Sequence, residues 1–401
     1  MRRRQFGPGF LVAAAFIGPG TVTTASLAGS RYGYTLAWAI VAAIVATLVL
    51  QEMAARLGAV GRIGLGEALR SSFSHRTIRT AAIGLALLAI TFGNAAYQAG
   101  NLTGAALGLE TLIGGSHSHW ILVCAAAAAV LLGSGAYRVV EAALVGLVGV
   151  MSLVFVATVV QIGPDWREVV YAIGHPQVPE AGRLMVLALV GTTVVPYNLF
   201  LHAAAVREKW KDSNVNHALA ESRRDSAIAV TLGGAITLAI LLTAVPLYLA
   251  GLQVDSVGAM AVQLEPLLGQ QARWLFAIGL FAAGLTSAIT APLAAAWATA
   301  GLLGWGTNMK SHRFRIVWCA IILIGAAVAI TGTKPLQAIV LAQAANGLLL
   351  PIVAGFLLWA MNRRQVMGAA RNGWVANLAG GAVVLFALLL GLSSLYRLFL
   401  L

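Results

Sequence analysis

Charged residues are scarce in this chain of 401 residues, and their scarcity excludes most classes of soluble protein. Asp, Glu, Lys and Arg make up 10% of the residues, whereas a soluble domain carries about 25%. Hydrophobic types make up 60% of the chain, and the mean hydropathy is +0.87. A water-soluble globule of this composition would lack the polar surface needed to cover it. The composition therefore predicts an integral membrane protein rather than a cytosolic enzyme or a disordered chain.

Cysteine and nucleotide-binding motifs are also nearly absent. The chain has 2 cysteines, Cys124 and Cys319, and both lie in apolar runs without a CxxC pattern, so a disulfide scaffold is excluded. The glycine-rich stretch from Gly61 to Gly66 lacks the Lys-Ser/Thr ending of a phosphate-binding loop. No nucleophile–base pair or metal-ligand cluster is visible. We expect no enzyme activity, no cofactor and no ATPase partner.

Long apolar runs continue along the whole chain and predict an all-α protein with eleven spans, since about 20 apolar residues cross a bilayer. The predicted spans are 10–30, 34–57, 81–108, 120–136, 139–161, 183–205, 226–252, 272–303, 315–331, 336–360 and 374–398. A very short turn at Tyr137 and Arg138 separates the fourth and fifth spans. No loop is long enough for a second domain, so residues 1–401 are expected to form one transmembrane domain.

The basic residues give the predicted orientation. The chain has 26 Lys and Arg against 13 Asp and Glu, a net charge of +13. Most of the cations lie at the N-terminus and in every second loop, which predicts a cytoplasmic N-terminus and an outside C-terminus in the cell (inner) membrane. The positive charge then borders the lipid bilayer, and nucleic-acid binding is not expected.

Two spans are interrupted near their middle. Pro19 and Gly20 break the first span, and Pro196 breaks the sixth. Unpaired backbone groups at membrane depth are tolerated where they line a cavity or are buried in protein. The breaks fall in the first members of two five-helix halves, about 10–161 and 183–360, with the extra span at about 374–398. Odd-numbered repeats must be inverted, and matching breaks indicate a central transport site.

Several motifs in chain order resemble the natural resistance-associated macrophage protein (NRAMP) family of divalent-metal transporters. They include Gly7-Pro-Gly-Phe-Leu, Gly29-Ser-Arg-Tyr-Gly-Tyr-Thr-Leu, the stretch from Gly191 to His202, Ala283-Gly-Leu-Thr-Ser-Ala-Ile-Thr and Leu341-Ala-Gln343. This resemblance covers nearly the whole chain. It implies a LeuT-like fold of two inverted repeats and metal-ion transport by alternating access.

The sequence departs from the family at the positions that would bind metal. The family's first break reads Asp-Pro-Gly-Asn, and here its Asp and Asn are Gly18 and Thr21. The family's Met-Pro-His in the sixth span is Val195, Pro196 and Tyr197 here. The thioether that favours soft transition metals is therefore missing, and no inner-sphere metal site is predicted.

Acidic residues are missing from the membrane interior as well. The positions that match the family's proton-carrying acids in the third span are Gln98 and Asn101, and all 13 Asp and Glu lie in loops or near span ends. A dehydrated cation without a nearby anion is costly, whereas Mg²⁺ can keep its water shell. A hydrated Mg²⁺-like ion therefore fits better than Mn²⁺ or Fe²⁺, and proton coupling is expected to be weak or absent.

The resemblance and the breaks together define the candidate residues. The predicted substrate-binding residues are Gly18, Thr21, Thr192, Val195, Tyr197, Asn198 and Gln343. Coupling or gating candidates are His202, Gln98, Asn101 and Asn346. His202 is interpreted either as a titrating group or as a hydrogen-bonded packing residue. The amides on spans 3 and 10 contact either substrate or a neighbouring helix.

Three functions remain open at this point. The preferred prediction is a secondary active or facilitative transporter that moves a metal ion by alternating access. The first alternative keeps the fold and transports a small anionic or neutral polar solute, because carboxylates are missing and half-helix N-termini carry partial positive charge. The second alternative is a membrane sensor or scaffold that transports nothing.

Overall fold

The computed structural model describes residues 8–9, 17–73, 75–134, 137–306, 308–331 and 334–400, and these ranges contain helices and no strand. The helices are α1 (Pro19–Tyr32), α2 (Ala37–Arg56), α3 (Leu65–Ser71), α4 (Arg76–Ile113), α5 (His117–Ser134), α6 (Tyr137–Ile162), α7 (Trp166–Gly174), α8 (Arg183–Thr193), α9 (Pro196–Lys209), α10 (Val215–Leu249), α11 (Val257–Ala261), α12 (Glu265–Leu268), α13 (Ala272–Leu303), α14 (His312–Thr331), α15 (Pro335–Met361), α16 (Arg364–Met367) and α17 (Trp374–Leu400). Short 3-10 segments lie at Gly33–Leu36, Glu180–Gly182, Val262–Leu264, Gly269–Gln271 and Gly368–Ala370, and a π turn lies at Leu57–Gly61.

The long helices have the length and composition of membrane spans. Within the described residues, 10 helical stretches are long and apolar enough to cross a membrane. One of them, Pro19–Gly61, has 43 residues and would extend about 65 Å as one helix, twice the thickness of a bilayer core. It consists of α1 and α2 joined by a 3-10 turn, so two of the predicted spans lie in it.

The predicted spans agree with the helices except at their ends. The first part of span 1, residues 10–16, lies outside the described residues. The turn predicted at Tyr137 and Arg138 is wrong, because α6 begins at Tyr137 and Arg138 follows in its first turn. The third span is longer than predicted, since α4 continues with polar residues to Arg76. Helices pass the hydrophobic boundary where their polar ends are solvated, so hydropathy alone underestimates their length.

Both predicted breaks coincide with helix starts. α1 begins at Pro19, and Gly18 before it has extended backbone angles of φ −108 and ψ −174. α8 ends at Thr193, and α9 begins at Pro196 after Val195, which is extended at φ −78 and ψ 121. Proline at the first helical position has no N–H to leave unpaired, and its fixed φ suits a helix start.

A row of glycines on one face of α4 allows this helix to approach the first break closely. Gly100, Gly104 and Gly108 are four residues apart on α4 and therefore share one face. A Cβ atom at Gly104 would overlap the ring of Pro19, and one at Gly108 would lie 2.6 Å from the carbonyl oxygen of Ala277 in α13. Glycine allows this close approach of helix backbones, so α4 passes directly beside the start of α1.

Gln263 hydrogen-bonds the short segment between α10 and α13 to the rest of the bundle, at the end of the bundle where α1 ends. Its side chain is buried. Its Nε2 donates to Ser26 Oγ at 2.9 Å and to the carbonyl oxygen of Met260 at 2.8 Å. Its Oε1 accepts from Thr243 Oγ1 at 3.2 Å. The segment is thereby joined to both α1 and α10.

Arg62 and Arg207 join α9 to the segment between α2 and α4 at the opposite end of the bundle. Arg62 has φ 54, the left-handed region that non-glycine residues seldom adopt. Its guanidinium donates to the carbonyl oxygens of Trp210 at 2.6 Å and Ser213 at 2.7 Å, just after α9. Arg207, in the last turn of α9, contacts Glu67 Oε2 at 2.5 Å.

Candidate substrate site at the two helix breaks

Hydroxyl groups occupy the space into which a side chain at position 18 would project. A Cβ atom at Gly18 would lie 2.8 Å from Ser287 Oγ and 3.4 Å from the Tyr97 hydroxyl. Tyr97 also lies against Tyr197, with ring centroids 5.6 Å apart in an edge-to-face arrangement, and all three side chains are buried. Residues from α4, α9 and α13 thus meet at the first break.

A second contact connects the two broken spans directly. Thr21 Oγ1 and Thr192 Oγ1 are 2.8 Å apart, and both side chains are fully buried. Thr21 lies in the first turn of α1 and Thr192 in the last turn of α8, next to the second break. Val195, within that break, accepts a backbone hydrogen bond from Asn198 at 3.0 Å.

Gln343 on α15 contacts the first break from another side. A Cβ atom at Gly20 would overlap the carboxamide of Gln343, and one at Gly100 of α4 would lie 3.7 Å from Gln343 Nε2. The Gln343 side chain is fully buried. The amide therefore lies between the start of α1 and the glycine face of α4.

Carboxamide groups around the breaks are buried without hydrogen-bond partners among the described residues. Both polar atoms of Asn101, Asn198 and Gln343 have none, and the same holds for Asn94 Oδ1, Gln98 Oε1 and Asn346 Nδ2. Leaving a buried polar group unsatisfied costs about 1–3 kcal/mol, and native proteins contain few such groups. A cluster of them defines a polar, uncharged region suited to a solvated or polar guest.

Gln98 and Asn346 show where α4 meets its neighbours. Gln98 Nε2 donates to the carbonyl oxygen of Ala288 in α13 at 3.1 Å, which is a helix–helix hydrogen bond, while its Oε1 is unpartnered among the described residues. A Cβ atom at Gly93 of α4 would lie 3.2 Å from Asn346 Oδ1. Gln98 thus bonds α4 to α13, and Asn346 of α15 lies against α4 at Gly93.

His202 lies one turn beyond Asn198 and away from this cluster. Its imidazole is fully buried, with Nδ1 contacting the carboxamide of Gln51 and Nε2 lying 3.2 Å from Ser226 Oγ. These partners belong to α2 and α10, so the ring bridges three helices. Both hydrogen-bond partners are neutral.

Sequence reasoning missed Tyr97 and Ser287, which lie next to position 18, and Asn94, which lies further along α4. Asn94, Gln98 and Asn101 are three or four residues apart on α4, and that spacing places them on one helix face. The same periodicity could have found Asn94. Ser287 gave no signal of its own, because its contact with position 18 depends on how α13 packs.

The ion pairs of Glu52 and Glu67 lie away from the helix breaks. Among the described residues, no group of three or more His, Cys, Asp and Glu side chains is placed to hold a metal ion. Glu52 and Glu67 form ion pairs with arginines near helix ends, with oxygen–nitrogen distances from 2.5 to 3.2 Å. The region at the breaks is lined by hydroxyl, carboxamide and backbone groups.

An all-helical membrane bundle with two broken helices, whose breaks meet at a buried polar centre, is characteristic of the LeuT-like class of transporters. It consists of two inverted five-helix repeats and an additional span. The family model described as "Natural resistance-associated macrophage protein-like" matches residues 9–397. The chain belongs to this family.

Individual relatives agree with this assignment. The chain is 29% identical over 397 residues to the divalent metal cation transporter MntH of Verminephrobacter eiseniae, covering 97% of this chain and 89% of the relative. It is 30% identical over 417 residues to MntH of Brucella suis, covering 98% and 88%.

Solved structures agree on the fold. The manganese transporter of Eremococcus coleocola superposes with a TM-score of 0.77 at 24% identity, covering 97% of this chain and 85% of that one. Mhp1, a nucleobase-cation-symport-1 family transporter, superposes with a TM-score of 0.56 at 16% identity, covering 98% and 93%.

Proposed function

We propose that this protein is a multi-pass membrane transporter that moves a divalent metal cation across the cell membrane. Its family membership supports this assignment, and so do the relatives named divalent metal cation transporter MntH. The transported ion binds where the breaks of spans 1 and 6 meet. The N-terminus is cytoplasmic and the C-terminus outside, in accordance with the distribution of Lys and Arg.

The uncharged side chains of the site are the observation that supports the proposed ion selectivity. A partly dehydrated Mn²⁺ would need an anionic or soft ligand, and Gly18 and Val195 supply neither. Mg²⁺ retains water readily, and its bound waters donate hydrogen bonds to oxygen acceptors. The side-chain oxygens of Asn101, Asn198 and Gln343, which have no hydrogen-bond partner in the described part of the chain, are acceptors of this kind. A hydrated Mg²⁺-like ion is therefore the preferred substrate.

Alternating access requires the two ends of the bundle to open in turn. The contacts of Gln263 with Ser26 and Thr243 close one end, and those of Arg62 and Arg207 with their partners restrain the other. Each set joins a half-helix of a broken span to an adjoining segment. Substrate binding between the breaks is transmitted to both sets through α1 and α9.

Transport proceeds with little or no movement of protons. Gln98 and Asn101 carry amides that do not titrate, and His202 lies between the neutral partners Gln51 and Ser226. Protonating a buried imidazole without an acidic partner is unfavourable. His202 therefore acts as a neutral bridge between helices.

The unpartnered amide nitrogens favour one second candidate, a small anionic or neutral polar solute. Asn101, Asn198, Gln343 and Asn346 each have such a nitrogen among the described residues. N–H groups donate to anions and carbonyl oxygens but do not ligate cations. This candidate retains the fold and the site and changes only the cargo.

Uptake by proteoliposomes distinguishes the candidates. Purified protein is reconstituted, and uptake of Mg²⁺ and Mn²⁺ is followed together with internal pH. We expect saturable Mg²⁺ uptake with an unchanged pH trace and no competition by small carboxylic acids. Uptake of such acids without metal uptake would support the second candidate. Folded protein that moves neither ion nor solute would support a sensor or scaffold.

Restoring the family's ligands tests the location of the site. We expect Gly18→Asp combined with Thr21→Asn and Val195→Met to raise Mn²⁺ affinity at least tenfold, since even outer-shell partners of a metal contribute about 10–100-fold. Ser287→Gly is added, because its hydroxyl lies 2.8 Å from the position of the new Cβ. Unchanged Mn²⁺ binding in a folded quadruple variant would place the ion elsewhere.

A further inference from the structure

A groove of about 550 Å³ lies between α2, α10 and α17, remote from the helix breaks. Its wall is apolar along the two spans, with Leu48 and Met53 on α2 and Ala376 and Ala379 on α17. Trp374, the first residue of α17, is 78% exposed beside it. An exposed tryptophan at the start of a span is typical of the interface between lipid tails and water.

The polar end of the groove holds two arginines and one carboxylate. Arg223 donates to Glu52 Oε1 through Nε at 3.0 Å and Nη2 at 2.6 Å, and Arg56 Nη2 lies 3.2 Å from Glu52 Oε2. Glu52 neutralises one of the two guanidinium charges, so the groove retains one excess positive charge. Arg223 is 50% exposed and is therefore accessible to a ligand.

The side chain of Arg56 is held in place at the polar end of the groove. Its side chain is 10% exposed. It donates from Nη1 to the carbonyl oxygen of Ala370 at 3.1 Å and from Nη2 to Asn372 Oδ1 at 2.7 Å. These bonds join α2 to the segment that precedes α17. The cation at the head of the groove is therefore held in place before any ligand binds.

We infer that this groove binds an anionic phospholipid of the surrounding leaflet. A phosphate group has the charge that the arginines leave uncompensated, and the apolar wall below them fits an acyl chain. Basic pockets between spans on the cytoplasmic side bind such headgroups. Free phosphate could use the arginines but would leave the apolar wall without a partner, so the lipid is the occupant that matches both halves.

Thermal unfolding in a neutral detergent tests the inference. The whole protein is titrated with phosphatidylglycerol, phosphatidylcholine or inorganic phosphate, and retained lipid is counted by native mass spectrometry. We expect phosphatidylglycerol alone to raise the unfolding midpoint and to remain bound. Arg223→Gln should weaken its apparent affinity about fivefold, the effect of one basic residue near an anionic surface.

Two further variants separate the headgroup from the acyl chain. Ala376→Trp fills the groove, keeps every charge and should abolish the stabilisation. Arg313→Gln removes a cation that lies over Trp305, away from the groove, and should leave it unchanged. Equal stabilisation by phosphatidylcholine or by phosphate would overturn the inference, as would wild-type phosphatidylglycerol binding in both Arg223→Gln and Ala376→Trp.

Discussion

Two buried glutamines, Gln343 and Gln263, have opposite hydrogen-bonding states and provide a matched test of the candidate site. Neither polar atom of the Gln343 side chain has a partner among the described residues, whereas both of the Gln263 atoms are bonded. Methionine has nearly the same shape as glutamine and needs no hydrogen bond. We therefore expect Gln343→Met and Gln263→Met to change the free energy of unfolding in opposite directions.

The magnitudes follow from the contacts. Gln343→Met removes a desolvated amide, so the free energy of unfolding should rise by about 1–3 kcal/mol. Gln263→Met removes hydrogen bonds to Ser26, Met260 and Thr243. Ser26 loses its partner Gln263, whereas Thr243 keeps its bond to the carbonyl oxygen of Ile240 at 2.9 Å. The substitution should cost about 2–4 kcal/mol, at roughly 1 kcal/mol for each bond and more for each buried partner left unpaired.

Unfolding in mixed micelles gives the free energies, and proteoliposome uptake gives the transport rate. A site residue should show higher stability together with lost transport in Gln343→Met, because the amide is retained for the substrate rather than for folding. Lower stability in Gln343→Met would mean that its amide has structural partners. Normal transport in that variant would remove Gln343 from the substrate site.

Three further outcomes are expected. Gly104→Ala should destabilise the protein by about 1–3 kcal/mol, because the added methyl group overpacks against the first break. Gly84→Ala on the same helix is the control and should not destabilise the protein, since its Cβ position has open space around it. Unfolding in mixed micelles measures both. His202→Leu should lower stability by about 1–3 kcal/mol because Gln51 loses its imidazole partner, whereas Ser226 keeps its bond to the carbonyl oxygen of Ser222. The internal pH trace during transport should match wild type. Asn198→Leu should abolish uptake without loss of folded protein in size-exclusion chromatography, and retained uptake would exclude this residue from the site.

The breaks could be read from sequence because their cause is local. Pro19, flanked by two glycines, and Pro196 each occupy a first helical position, which suits a residue with no N–H and a fixed φ. Proline alone does not predict a break, since Pro246, Pro292 and Pro351 lie inside continuous helices. The positions of the predicted spans rest on the same kind of local signal. The error at Tyr137 and Arg138 is also local, since a polar pair in a helix's first turn resembles a loop.

The hydroxyl cluster at Gly18 could not be predicted in this way. Tyr97 and Ser287 reach position 18 through the packing of α4 and α13, which are far from the first break in sequence. Gln51 becomes the partner of His202 only when α2 and α9 are adjacent. The sequence identifies which residues are polar, whereas long-range packing decides which polar groups meet.

The residues on the glycine face of α4 set the geometry of the candidate site, and other residues set its chemistry. Gly104 allows α4 to lie against the ring of Pro19 at the first break, while Gly100 lies against Ala342 of α15 and Gly108 against Ala277 of α13. Positions 18, 21 and 195 lie outside this glycine face, so carboxylate, amide or thioether groups can be exchanged there by adjusting neighbouring side chains such as Ser287. A scaffold organised in this way can acquire a new cargo through a few substitutions, since selectivity can vary while the architecture remains unchanged.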